Sequence, residues 1–404
     1  MTAPAAPPDP GDSAVAGAGG VDLGRDLGRD LGRDLGLGLL AARVPDAVRR
    51  TAAYNVPVPP RMVAKLDANE LPYALPAALR AELGRALAEV ALERYPDAAA
   101  RRLREIVVRQ LSATPDPAGG PDARIRPITG DQVVFGNGSD ELIAMLCSAF
   151  SARRGDRPAA VLAPSPSFVY YRLSAIARGV EPIEVPLTPA FELDEPAMLR
   201  AIEHHRPSVV FLALPNNPTG TLWRLGFAAE LAARFPDIAV ISDEAYFAYS
   251  GATSLPVLAH HPNLVVMRTL SKLGMAGLRV GFTISSPAIA AVLEKLRPPY
   301  NLSSLDQRAA EFLLEHATAW CAERAAEVVA ERARLAAALS ARGFEVFPSE
   351  ANLVLIRSSG ATALWQRLAA AGVLVRLFDA GPLAGCLRVT VGTPADNAAL
   401  LAAL

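Results

Sequence analysis

The chain has 404 residues, 51% of them hydrophobic, which is enough to bury one large core or two linked ones in two or three domains. Its 40 basic and 41 acidic residues leave a net charge of −1, which excludes a general pull toward nucleic acid or an anionic membrane. No apolar run approaches the ~20 residues that span a bilayer, no basic-then-apolar leader opens the chain, and its cysteines lack CxxC spacing.

A cytoplasmic, reducing setting is therefore expected, with neither a disulfide framework nor a zinc site. The histidines are two adjacent pairs (His204-His205 and His260-His261) and a lone His316, so no metal-ligand spacing arises and no metal is expected.

Residues 1–42 stand apart. Ala, Pro, Gly and Asp dominate the start, and a tandem Asp-Leu-Gly-Arg repeat runs from Asp22 to Gly36. Glycine at every fourth position discourages a helix, and a four-residue period is too short for a solenoid unit. The composition predicts a disordered extension. Residues 43–76 read as an N-terminal arm: Tyr54-Asn-Val-Pro-Val-Pro-Pro is extended, and Lys65 is expected on the arm's rim. Amphipathic spacing then predicts helices over 77–92 and 99–111, separated by Tyr95-Pro-Asp.

From Gln132 short apolar runs alternate with helical segments. Val133–Phe135, Ala160–Leu162, Val209–Leu214, Ile238–Ile241, Leu264–Met267 and Val280–Ile284 read as buried strands. This pattern predicts an α/β fold, a large domain over 77–300 with a mostly parallel seven-stranded type of sheet covered by helices on both faces. Residues 301–404 read as a smaller α+β C-terminal domain. It opens on a long helix from about Leu305 to Arg342, broken near Thr318, and continues with short strands at 344–347, 352–356, 373–376 and 387–391.

A polar cluster follows the carboxyl end of each of five predicted strands, the edge where open α/β sheets bind ligands. The most informative is Ser271-Lys272, after the strand at 264–267. The chain holds only three lysines, Lys65, Lys272 and Lys295, and Lys295 sits in a helical pattern on a solvated face. A lysine where a buried strand opens into a loop needs a partner. Desolvation and a neighbouring cation, here Arg279, lower an amine's pKa and expose its lone pair, as in Schiff-base lysines.

The other clusters supply what a phosphorylated pyridine aldehyde would need. Gly138, Ser139 and Asp140 open a helix after a strand, which suits an anion, although Ser139 or Asp140 reads equally well as an N-cap. Ser271 and Arg279 would add a hydroxyl and a cation, unless Arg279 is a surface salt-bridge partner. Asp243 ends a buried strand and would meet a pyridinium nitrogen, or else cap a helix. Asn217 and Tyr246 could hydrogen-bond a ring oxygen, or be a turn residue and a core residue. Phe168 offers a flat face for stacking. The cofactor these residues point to is pyridoxal 5'-phosphate.

The ordered set Gly-Ser-Asp-Glu, Asn-Asn-Pro-Thr-Gly, Asp-Glu-Ala-Tyr, Ser-Lys with Ala-Gly-Leu-Arg, and Leu-Arg-Val-Thr-Val-Gly-Thr resembles the fold-type I, class I/II aminotransferases. Lys65-Leu-Asp-Ala-Asn-Glu-Leu-Pro, Tyr95-Pro-Asp, Arg297-Pro-Pro-Tyr-Asn and Gly372-Val-Leu-Val-Arg are similar to the histidinol-phosphate branch of that family. The resemblance runs from about Arg43 to the C-terminus. It implies transamination between L-histidinol phosphate and 2-oxoglutarate, with Lys272, Asp243 and Tyr246 as catalytic residues. Arg376 and Arg388, with Tyr54 and Asn69, would contact substrate. It also implies a homodimer in which Tyr95 reaches the partner's cofactor phosphate. Many members carry a tyrosine where this chain has Phe168. Rival activities on the same fold are aromatic-amino-acid transamination, threonine-phosphate decarboxylation and C–S lysis. A non-enzymatic regulator would need a DNA-binding module, and the N-terminal repeat has no helix-turn-helix pattern.

Overall fold

The computed structural model describes residues 43–49, 62–116 and 124–404; the repeat-bearing extension and Tyr54 lie outside the described residues. Met1–Val56 and Pro57–Leu404 are two separate units. Of the first, the described residues form the short helix Asp46–Arg49. All the other described elements belong to the second.

The first strand, β1 (Ala64–Leu66), precedes the large sheet in sequence but is not part of it. The large sheet contains β2 (Val133–Asn137), β3 (Ala160–Ser165), β4 (Glu181–Pro186), β5 (Val209–Ala213), β6 (Ala239–Asp243), β7 (Leu264–Thr269) and β8 (Val280–Ile284). Their spatial order is β2-β8-β7-β6-β5-β3-β4. All neighbours are parallel except β8, which runs antiparallel to both β2 and β7. Its reversed direction brings the start of β8 to the edge where the other strands end.

Buried strands of this kind are apolar on both faces, and alternate side chains enter different cores. On β5, Val210 and Leu212 join one apolar cluster and Val209, Phe211 and Ala213 join another. On β7, Leu264 and Val266 enter the first, and Val265 and Met267 the second. Each fully buried Val, Leu or Phe contributes about 1.5–3 kcal/mol relative to exposure. The sheet is thereby fixed from both sides, and its polar strand ends are held on a rigid edge.

Strand β4 has no counterpart among the expected strands. It pairs only with β3 at the sheet's edge and carries Pro182 and Pro186. A proline lacks the N–H of a ladder bond and is tolerated there because an edge strand has one unpaired side. The same prolines hide the strand from a reading based on apolar runs.

The smaller sheet has β9 (Glu345–Val346), β10 (Leu353–Arg357), β11 (Val373–Phe378) and β12 (Cys386–Thr390), in the order β1-β11-β12-β10-β9. Here the structure departs from the expected arm. Ala64–Leu66 lies parallel to Val373–Val375 as an edge strand, with Ala64 and Leu66 buried and Lys65 turned outward to Glu70, 2.6 Å away. Three residues are too few for a period-2 signal. The long C-terminal helix is divided as its sequence predicts, into Ser304–His316 and Thr318–Ser340, with Ala317 fully buried at the joint.

Candidate active site

A cavity of about 150 Å³ opens at the carboxyl edge of the large sheet. Its lining includes Ser139, Asp140, Phe168, Asn217, Asp243, Tyr246, Ser271, Lys272 and Arg279, so nine of the residues singled out in the sequence share one pocket. Each arrives from a different strand end: Ser139 and Asp140 after β2, Phe168 after β3, Asn217 after β5, Asp243 as the last residue of β6, and Ser271 and Lys272 after β7. Arg279 immediately precedes β8.

The anion-binding corner is built around the helix Gly138–Ala149. Asn137 is its N-cap, so Ser139 and Asp140 lie in the first turn rather than at the cap. The leading N–H groups of a helix have no partner within it and attract negative charge. Gly138 has φ +75°, and a Cβ there would lie 2.6 Å from Arg279 Nη2. Glycine is therefore required twice, for the left-handed backbone and for the arginine's approach. Arg279 itself sits at φ 51°; its Nη1 donates to Ser271 Oγ (3.2 Å) and its Nη2 to Asp140 Oδ2 (3.1 Å). A guanidinium, a hydroxyl and a helix N-terminus thus converge on one spot. That combination matches a phosphate.

Lys272 projects into the cavity, with Nζ 3.4 Å from the Ala68 carbonyl and 5.8 Å from the Tyr246 ring centre. Burial, and then the nearby Arg388 guanidinium, lower its pKa to about 8 from an ordinary 10.5. Its backbone carbonyl accepts a 2.5 Å hydrogen bond from the buried Tyr249 hydroxyl.

Asp243 is 5% exposed. Its Oδ2 accepts the Tyr171 hydroxyl at 2.6 Å and its Oδ1 the Ala245 N–H at 3.1 Å. Burial raises its pKa to about 6 despite both donors. Among the described residues no cation pairs with it. The adjacent Glu244 contrasts sharply: its fully buried carboxylate accepts from Arg268 Nε (3.0 Å) and Nη2 (2.9 Å). A buried carboxylate that faces the cavity, with no cation paired to it among the described residues, suits a positively charged ring nitrogen there.

Tyr246 is buried, and its hydroxyl accepts from Asn69 Nδ2 at 2.9 Å. Asn69 does not line the cavity. It is 1% exposed at φ 54°, with its N–H donating to Thr390 Oγ1 (2.9 Å) and its Oδ1 accepting from the same hydroxyl (3.2 Å). Its side chain thus joins Tyr246 to β12. Asn217 Oδ1 accepts from Arg388 Nη1 at 2.7 Å, and Arg388 Nη2 donates to the Asp67 carbonyl at 2.6 Å. Arg376 stands directly opposite Arg388 in the β11–β12 register. Tyr95 is outside the cavity, 81% exposed and stacked on Tyr300 with ring centres 4.6 Å apart.

A family model for aminotransferase class I and II matches residues 61–404. The chain belongs to the class I and II aminotransferases. The histidinol-phosphate aminotransferases of Methylibium petroleiphilum and Chromobacterium violaceum are 44% and 45% identical to this aminotransferase, over 371 and 343 residues. These matches cover 90% and 84% of this chain and 94% and 91% of theirs. The fold is also that of a histidinol-phosphate aminotransferase from Sinorhizobium meliloti, solved in complex with pyridoxal-5'-phosphate. That likeness has a TM-score of 0.74 at 22% identity and covers 90% of this chain and 96% of the other.

Sequence reasoning overlooked two residues that shape this aminotransferase's site. Tyr171 lies one helical turn beyond Phe168, and nothing in Tyr170-Tyr171 says which ring turns inward. Thr269 ends β7 and donates to Ser271 Oγ at 3.0 Å, a contact that only the turn geometry reveals.

Proposed function

We propose that this aminotransferase moves the amino group of L-histidinol phosphate to 2-oxoglutarate, giving imidazole-acetol phosphate and L-glutamate, with pyridoxal 5'-phosphate in the cavity. The residues present fit that cofactor. Asp243, buried and paired with no cation among the described residues, suits its ring nitrogen. Ser139, Ser271 and Arg279 suit its phosphate, Asn217 and Tyr246 its ring oxygen, Phe168 its ring face, and Lys272 its aldehyde carbon. When bound, the cofactor supplies an electron sink for the carbon that carries the amine.

The protein's own share is positioning and proton handling. Lys272 Nζ, depressed to about 8, is the base that takes the proton from the amine-bearing carbon. Tyr246, braced by Asn69, keeps its hydroxyl fixed at the cavity wall.

The observation that carries the substrate assignment is the Arg376–Arg388 pair. Two rigid guanidinium forks at facing strand positions, one of them bonded to Asn217 of the cavity wall, suit a doubly charged phosphate better than a carboxylate. The two relatives at 44% and 45% identity support the same substrate. Arg388 would also receive the carboxylate of 2-oxoglutarate and glutamate.

We also read the working form as a homodimer in the cytoplasm, where the three free cysteines would stay reduced. In it Tyr95 would reach the cofactor phosphate held by the other protomer, and its exposed stack on Tyr300 supports that placement.

The test compares kcat/KM for histidinol phosphate and phenylalanine, with 2-oxoglutarate as acceptor. Histidinol phosphate should be preferred, and Arg376→Ala should cost roughly 10²-fold on it, from loss of charge-assisted hydrogen bonds. Phenylalanine turnover should change only a few-fold. An equal loss on both substrates would rule out the phosphate clamp.

A further inference from the structure

The hydroxyl of Tyr171 has no packing task. Tyr171 is 1% exposed, and its ring lies flat against Phe211 of β5, with centres 4.4 Å apart and planes 9° apart. Phe168, whose ring faces the cavity, meets its edge at 5.6 Å and 88°. A phenylalanine would fill the same space and keep both ring contacts. The oxygen is nevertheless buried, and a buried hydroxyl costs free energy unless it finds an acceptor. Its acceptor is Asp243 Oδ2, at 2.6 Å.

The surroundings of Asp243 make that donor consequential. The groups facing it are the Tyr171 hydroxyl, the Ala245 N–H, the like charges of Glu244 and Asp140, and the Tyr246 phenol. Glu244 is neutralised by Arg268, whereas Asp243 receives two hydrogen bonds and no cation from the described residues. One of its two donors is a main-chain group that no side-chain substitution removes. The other is Tyr171.

We propose that Tyr171 is a positioning residue for the reaction: its hydroxyl fixes the rotamer of Asp243 and holds the carboxylate ionised toward the ring nitrogen of the cofactor. Phe168 and Tyr171, on one turn of chain, would then serve the ring together, the first at its face and the second through the carboxylate at its nitrogen. This inference rests on the reading of the cavity as a pyridoxal phosphate site.

The experiment loads the full-length enzyme and its Tyr171→Phe variant with pyridoxal phosphate carrying nitrogen-15 in the ring. It reads the ring-nitrogen chemical shift together with kcat and KM. In the variant the carboxylate loses a donor and binds protons more avidly, so the ring-nitrogen signal should move from the protonated toward the neutral position. With it, kcat should fall roughly 10- to 100-fold, the range of one hydrogen bond to a charged group, while KM changes less than about threefold.

A variant with the wild-type chemical shift, or with wild-type kcat, would overturn the proposal. A variant that fails to fold would show that the hydroxyl serves packing, which also counts against it. Replacing Tyr171 by 3-fluorotyrosine gives a second arm, since a more acidic phenol is a stronger donor in the same shape. The signal should then move no further toward neutral than in the wild type; a shift in the same direction as Tyr171→Phe would contradict the account. Wild-type protein that takes up no cofactor would instead remove the reading of the whole cavity, and the Tyr171 role with it.

Discussion

At the scale of single residues, the site is held at a cost to the fold. Asp243 has its carboxyl raised to about 6, chiefly by burial, from an ordinary 3.8. In the cofactor-free protein the folded state therefore binds this proton more tightly than the unfolded chain does. The native state escapes the penalty below about pH 4 and loses stability as the pH climbs toward about 6, by roughly 3 kcal/mol in all. Asp243→Asn removes that titration. The cofactor-free variant should melt above the wild type at neutral pH and level with it near pH 4, while loaded-enzyme turnover drops by about 10²-fold or more. Calorimetry across pH checks the first part; a variant less stable than the wild type at neutral pH would mean that Asp243 is fully compensated within the protein. These residues were legible before the fold was known because their chemistry is rare. A lysine at a strand end and a carboxylate closing an apolar run each demand a partner. Tyr171 was not legible, because its function lies in one hydroxyl oxygen on a ring that also looks like ordinary core.

At the scale of elements, the site is a property of strand ends. The carboxyl ends of β2, β3, β5, β6 and β7 and the reversed start of β8 share one edge, so residues up to 140 positions apart, Ser139 and Arg279, meet around one cavity. The ends of β6 and β7 are tied by the Glu244–Arg268 ion pair, which Thr253 also joins, donating to Glu244 Oε2 at 2.9 Å. Breaking a buried pair leaves a desolvated charge and costs about 3–5 kcal/mol. Glu244→Gln should therefore lower the denaturation midpoint and weaken cofactor retention, without changing which substrate is preferred. Urea unfolding and specificity ratios measure both. Continuous apolar runs made six of the seven large-sheet strands visible to within a few residues, since burial on both faces leaves a strong signal. The edge strand β4 and the three-residue β1 were lost for the opposite reason: one is broken by prolines and the other is too short for any period. The register that sets Arg376 opposite Arg388 depends on how β11 and β12 pair, which no local pattern encodes.

At the scale of the whole molecule, family membership covers residues 61–404 and leaves the N-terminal repeat outside the match. Removal of residues 1–42 should leave kcat/KM within about twofold, because the cavity among the described residues is lined from Ser139 onward; a larger fall would assign the extension a role in catalysis. The homodimer reading predicts that Tyr95→Phe weakens cofactor retention by roughly 10-fold, the scale of one charge-assisted hydrogen bond. It also predicts that sedimentation finds two chains per particle; a monomer of full activity would exclude the exchange of Tyr95 between sites. The central claim is a lysine-anchored cofactor that accepts an amine from a phosphorylated amino alcohol and passes it to an oxo acid. Its most direct test is a pair of half-reactions followed by visible absorbance. Histidinol phosphate, added without an acceptor, should discharge the absorbance of the lysine-bound cofactor, one equivalent per site, and 2-oxoglutarate should restore it. Lys272→Ala should show neither the absorbance nor the cycle. Absorbance that survives in Lys272→Ala, or wild-type absorbance unmoved by histidinol phosphate, would contradict it.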